Sequence, residues 1–156
     1  RQASMRRNLG SPYFYQTAVL CAGLALQNAN VTAESMGLGA VMIGGINEAL
    51  PDLDEWLGLP ELVIPLCGLA VGVPDESPEQ KPRLPRSAVF FENRYNPDLK
   101  AAIDEFDRQI ETYYGSRLFN RRKADWSGKL TAILGQKLPV DMYTKYVRHK
   151  GFYLVE

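Results

Sequence analysis

Two short stretches of this chain carry the residue types that could hold a flat, charged ligand. Gly44 and Gly45 close the apolar run 40–43, and a glycine pair there lets backbone N–H groups approach a planar group because no Cβ intervenes. Turn geometry accounts for the pair equally well on spacing alone. Farther on, Lys81, Pro82, Arg83, Leu84 and Pro85 place two cations two residues apart between prolines. The fixed proline φ holds such a segment extended, so both cations can reach one phosphate; a solvated loop is the competing account. A third stretch, 117–123, holds Arg117, Arg121, Arg122 and Lys123. Arg117 and Arg121 would share a face if the stretch were helical, and could bind a phosphate, a nucleic-acid backbone or nothing.

Other chemistries have little material to work with. His149 is the single histidine, set between Arg148 and Lys150, and with no second ligand at metal spacing it reads as a surface residue at a helix end. No Gly-x-Ser-x-Gly elbow surrounds Ser35 or Ser127, so nucleophilic acyl transfer is not indicated. Asp104, Glu105 and Asp107 read as the wet face of a helix. Gly37 and Gly39 precede an apolar strand instead of following one and opening a helix, which excludes a dinucleotide fingerprint and leaves turn chemistry. No catalytic acid or base and no metal site is assigned.

The elements that must position these residues follow from periodicity and punctuation. Residues 13–36 form a long helix with small residues at Ala18, Cys21, Ala22 and Ala25, and its apolar content predicts burial. Gly37 ends it, and 40–43 is a short strand. Asn47 could cap a helix running to Trp56, closed by Gly58. Residues 62–73 read as a strand buried on both faces. A polar loop, 74–85, leads to a β-like run at 87–91. Pro97 and Asp98 open a helix to Tyr114, with Leu99, Ala102, Ile103, Phe106 and Ile110 as its core stripe and Gly115 as its end. Helical stretches at 125–135 and 139–150 precede an apolar tail, Phe152 to Val155, and this tail and the first helix are expected to be covered by dimerisation.

The 156 residues suit one domain with a sizeable core. Eighteen basic side chains balance eighteen acidic ones, so no global field recruits nucleic acid or an anionic membrane. Cys21 and Cys67 lie in apolar runs with neither metal nor disulfide spacing, which predicts buried thiols in a reducing cytoplasm. No apolar stretch is long enough to span a bilayer, and the expectation is a soluble, intracellular protein.

An ordered series of motifs resembles the FMN-dependent nitroreductase family, and within it the oxygen-insensitive NADPH nitroreductase and flavin reductase branch. The series runs through Gln27-Asn28, the stretch Ala33 to Gly39, Ile43-Gly44-Gly45, Leu57 to Pro60 and Pro65 to Gly72. It continues through Lys81 to Pro85, Glu92 to Tyr95, and Arg121-Arg122 on to Trp126-Ser127. Residues 13–156 are covered. The resemblance implies an α+β fold, a nitroreductase-like sheet flanked by helices in an intertwined homodimer, with FMN at the subunit interface.

Carried over by motif, Ile43, Gly44 and Gly45 would offer backbone contacts to the flavin ring. Lys81 and Arg83 would hold the FMN phosphate or ring edge, and Arg117 and Arg121 would grip the adenosine phosphate of NADPH. The implied reaction is two-step hydride transfer through flavin N5 to a small nitro compound, quinone or flavin. Met42 departs from the aromatic that relatives often carry there. The family's Arg-Ser-x-Arg phosphate-binding segment has no counterpart here, so residues 1–156 read as the C-terminal portion of one nitroreductase-like domain, and 1–12 match nothing in the pattern. The alternative reading is a non-catalytic fragment or flavin-binding remnant with a structural role.

Overall fold

Helix α1 (Gln2–Leu9) is followed by the long helix α2 (Pro12–Ser35) in a computed structural model that describes residues 2–77, 79–136 and 139–153. Ser11 is extended and Pro12 takes the first turn of α2, where its missing N–H costs nothing. The helix ends on Gly37 at φ 77°, with Leu38 N donating to Ala33 O and Gly37 N to Glu34 O, both at 3.0 Å. Those two reversed bonds satisfy carbonyls that a helix end otherwise leaves unpaired, and only glycine takes that φ without strain. Strand β1 (Gly39–Ile43) follows, as the order helix, turn, strand predicts.

The chain divides into two units, Arg1–Glu76 with Pro139–Glu156, and Ser77–Leu138. In the first, β1 pairs antiparallel with β2 (Gly68–Gly72), Gly39 opposite Gly72 and Ile43 opposite Gly68. A 3-10 turn (Gly44–Glu48) leads from β1 into α3 (Leu50–Leu57), which Gly58 closes at φ 58°. Helix α6 (Val140–His149) brings the end of the chain back onto α3. Leu50 and Val147 are fully buried there beside Tyr146 and Phe152, and each such side chain contributes about 1.5–3 kcal/mol. The Tyr15 and Tyr143 hydroxyls share a hydrogen bond of 2.5 Å, tying α2 to α6.

Lys150 is the one charged side chain buried in the described residues, 5% exposed. Its ammonium donates to Asp54 Oδ1 and to Leu59 O, each at 2.7 Å. Its own carbonyl accepts from Leu62 N at 2.8 Å, and Leu62 sits at φ 62°, a conformation that a branched side chain adopts only when its surroundings enforce it. Nearby, burial first and the Asp54 carboxylate second push the Tyr146 phenol up to about 12.

The second unit is built on α4 (Lys100–Ser116) and α5 (Trp126–Leu134). Phe106, Ile110 and Tyr114 form its buried stripe, with Leu84, Tyr113, Ala124 and Trp126 packed against them. Lys100 to Asp104 and Arg108 to Glu105 are paired on the opposite face. Asp125 caps α5 by accepting from Gly128 N at 2.5 Å.

Several expectations are corrected. Only Ala33 of α2 is buried and Cys21 is exposed, because the described residues pack against only part of that apolar helix, and Cys67 is half-buried. Residues 62–73 yield only the five residues of β2, which are half-buried or exposed: among the described residues the sheet has two strands and no third to cover it. The run 87–91 is no strand; residues Arg86–Ala88 make a 3-10 turn. Asn47 lies inside the first 3-10 turn and caps nothing, α3 starting at Leu50. Helix α4 passes through Gly115 to Ser116. Asp107 is not simply solvated: its carboxylate accepts from Trp126 N at 3.0 Å and Ser127 N at 2.9 Å. Of the apolar tail, Phe152 is buried and Tyr153 exposed, while Leu154 and Val155 lie outside the described residues. His149 is exposed at the end of α6, as expected.

Candidate functional site

In the first unit, Ile43 ends β1 and Gly44 and Gly45 open the 3-10 turn, all three exposed. Positive φ occurs at Gly37, Gly58 and Gly151 among the glycines and at neither Gly44 nor Gly45. A Cβ built on either residue meets nothing within 4 Å. Neither backbone conformation nor packing among the described residues therefore calls for glycine at these two positions. The turn explanation loses its force, and the close approach of a group from outside this unit keeps its own. Val41, Met42 and Ile43 present an exposed apolar surface alongside, suited to a planar ring.

The second unit gathers the cations. Lys81 and Arg83 lie in extended, exposed chain, with Arg83 Nη1 3.5 Å from Lys81 O. They flank a cleft of about 250 Å³ whose floor is Phe106, Ile110 and Tyr114 and whose far wall is Trp126 with Lys129. The Lys81 ammonium stands 5.6 Å from the centroid of the Tyr114 ring and the Arg122 guanidinium 4.3 Å from it, both within cation–π range. Hydrogen bonding from Arg122 first, with Lys81 beside it, outweighs burial and holds the Tyr114 phenol below its ordinary value. A cleft with an aromatic floor and cations on its rim can take an anionic group that also carries an apolar face.

Arg117 and Arg121 do not share a helix face. The stretch after α4 is irregular, turned at Asn120 with φ 56°. The Arg117 guanidinium lies over Tyr113, 5.6 Å from the ring centroid, and Arg121 is exposed. Arg122, which the motif reading passed over as a ligand, is the member of this loop that joins Lys81 on Tyr114. A cation five residues beyond Arg117, following an αL-tolerant asparagine, was the only signal the sequence offered. Asp107 was missed as well. Burial alone would raise its carboxyl, but bonds from the Ser127 hydroxyl and from the Ser127 and Trp126 amides outweigh that and hold it below the usual aspartate value. It anchors the start of α5, and so the Trp126 wall of the cleft.

The model described as "Nitroreductase family" matches residues 1–73 and that described as "Nitroreductase family, C-terminal domain" matches 81–155. The chain belongs to the nitroreductase family. The first match includes residues 1–12, which the motif series left unplaced. The FMN reductase (NADPH) of Bacillus subtilis is 40% identical over 141 residues, covering 88% of this chain and 56% of that protein. The NADPH-flavin oxidoreductase of Vibrio harveyi is 42% identical over 130 residues, covering 83% and 53%. Among solved structures, the NfrA1 nitroreductase of B. subtilis superposes with a TM-score of 0.87 at 39% identity, over 94% of this chain and 60% of that one. The chain thus spans little more than half the length of the curated relatives it matches. No helix among the described residues is long and apolar enough to cross a membrane.

Proposed function

We propose that this chain serves an NADPH-dependent FMN oxidoreductase that reduces a small nitro compound, quinone or flavin and works as a cytoplasmic homodimer. When bound, FMN supplies a two-electron carrier that takes hydride from the nicotinamide and passes it to the acceptor. The protein's share is binding and orientation, in keeping with the lack of any assigned acid or base. Gly44 and Gly45 keep side chains out of the way of a ring lying on the 3-10 turn, and Ile43 flanks it. Lys81 and Arg83 supply charge-assisted hydrogen bonds to a phosphate or ring edge. Arg117 and Arg121, with Arg122, hold positive charge for the adenosine phosphate that distinguishes NADPH from NADH. The exposed apolar side of α2, with Tyr13, Leu20 and Leu24 more than 60% exposed, is the surface that a second copy would cover.

The observation that carries this reading is the glycine pair, open to solvent and demanded by nothing else in its unit. The test is a titration of FMN into the chain, read by quenching of flavin fluorescence, followed by addition of NADPH. Saturable quenching that Gly45→Val abolishes, with bleaching of the bound flavin by NADPH, is the expected result. Saturation without bleaching would favour the non-catalytic remnant, and no saturation in the unsubstituted protein would overturn the reading.

A further inference from the structure

The two tyrosines near the end of α4 each touch both cation-bearing segments of the second unit. Tyr114, 6% exposed, presents its ring to Lys81 from one segment and Arg122 from the other. Arg122 is fastened again through its backbone, its N donating to Tyr114 O at 3.2 Å. Next along the helix, the Tyr113 ring carries Arg117, while its hydroxyl donates to Glu79 O at 3.4 Å, two residues before Lys81. The two rings meet edge to face, centroids 5.2 Å apart. The segment 79–83 and the loop 117–123 therefore share one footing.

We propose that Tyr114 is a positioning residue that couples the arginine loop to Lys81, so that an anion bound by the loop resets the place of the Lys81 ammonium. The proposal rests on the reading of that loop as a nucleotide-phosphate site. Two like charges share one ring and one hydroxyl, and each weakens the other's hold on them. A phosphate that engages Arg122 draws the guanidinium away and offsets its charge, leaving the ring to Lys81. Linkage makes the effect reciprocal: an anion taken by Lys81 alters the loop's affinity by the same factor. The depressed Tyr114 phenol is consistent with a hydroxyl facing both cations. In this arrangement nucleotide occupancy is communicated to the cation assigned to the flavin without any movement of α4.

The test uses the full chain with adenosine 2′,5′-bisphosphate as the probe, following the Lys81 ε-methylene and Arg122 δ-methylene signals by proton–carbon NMR. Both signals are expected to shift with one midpoint. Tyr114→Phe, which keeps the ring, should retain the Lys81 shift. Tyr114→Leu should lose it while the Phe106 and Ile110 signals remain those of the folded unit and Arg122 still responds. A shift at Arg122 with Lys81 unmoved, or a Lys81 shift undiminished in Tyr114→Leu, would overturn the coupling alone. No response at Arg122 would overturn the nucleotide reading of the loop, and the coupling with it.

Discussion

Replacing Lys150 by methionine should cost the first unit far more than any surface ion pair. The ammonium is 5% exposed and makes two bonds of 2.7 Å, one to the Asp54 carboxylate and one to Leu59 O. Removing it strands a carboxylate and a carbonyl in the same pocket, and breaking a buried pair from one side costs about 3–5 kcal/mol. Asp54 keeps 20% of its side chain in contact with solvent, so water relieves part of the loss and the lower end of that range, about 3 kcal/mol, applies. At about 1.4 kcal/mol per tenfold this is roughly a hundredfold in the opening equilibrium. Amide exchange at Tyr146 and Val147, both buried on the same helix, reads it directly. By contrast the pair Arg6 and Glu61, each side chain about two-thirds exposed, should give at most about 1 kcal/mol in the same assay. The double substitution Lys150→Met with Asp54→Leu should recover most of the loss, since apolar groups of similar size leave no stranded charge. Exchange within about threefold of the parent in Lys150→Met, or a double variant no more protected than the single, would refute the reasoning.

Asp107 ties α5 to α4 with a depressed carboxyl, so its stabilisation is complete above the ordinary aspartate value and disappears as pH falls through the lower folded one. Asp107→Asn should therefore flatten the acid limb of stability for the second unit, followed by Trp126 fluorescence between about pH 6 and 2; an unchanged limb would remove Asp107 as its cause. Lys81→Ala and Arg83→Ala should each weaken FMN binding by about 1.5–3 kcal/mol, the worth of a charge-assisted bond, without unfolding the protein; unaltered affinity in both, by flavin fluorescence, would discard the assignment. Arg117→Ala and Arg121→Ala should impair reduction by NADPH and spare that by NADH in stopped-flow measurements, and an equal loss with both nucleotides would make these arginines bystanders. Light scattering should report a dimer that Leu20→Glu with Leu24→Glu converts to a monomer; a parent that is already monomeric would contradict the covered-face reading.

What the sequence made legible was local. The end of α2 followed from Gly37, and part of the core stripe of α4 from the spacing of Phe106 and Ile110, because caps and periodicity act over a few residues. What it hid was long-range or external. Nothing about Lys150 announced burial, since its partner Asp54 lies 96 positions away. The thiol of Cys21 was read as buried from its apolar neighbours, yet among the described residues it stands exposed. The run 87–91 has strand-forming residues but no partner strand among those described, and pairing decides what propensity only suggests. In the candidate site, Gly44, Gly45, Lys81 and Arg83 stood out by type. Tyr114 and Arg122 did not, because a ring shared between two loops leaves no mark in spacing.

The second unit is an insertion in the first, and that order of residues imposes a timetable on synthesis. Phe106, Ile110, Tyr114 and Trp126 are made close together, so the inner unit holds its whole core soon after Trp126 leaves the ribosome. The outer unit waits. Leu50 has no core to enter until Tyr146, Val147 and Phe152 arrive, and at about 5–20 residues per second the gap lasts roughly 5–20 s. Through that interval α3 and the apolar length of α2 stand unmatched, a period in which a holding chaperone has something to grip and a neighbouring nascent chain has something to misjoin. Tyr146, Val147 and Phe152 thus close a core whose first member, Leu50, was made some hundred residues earlier.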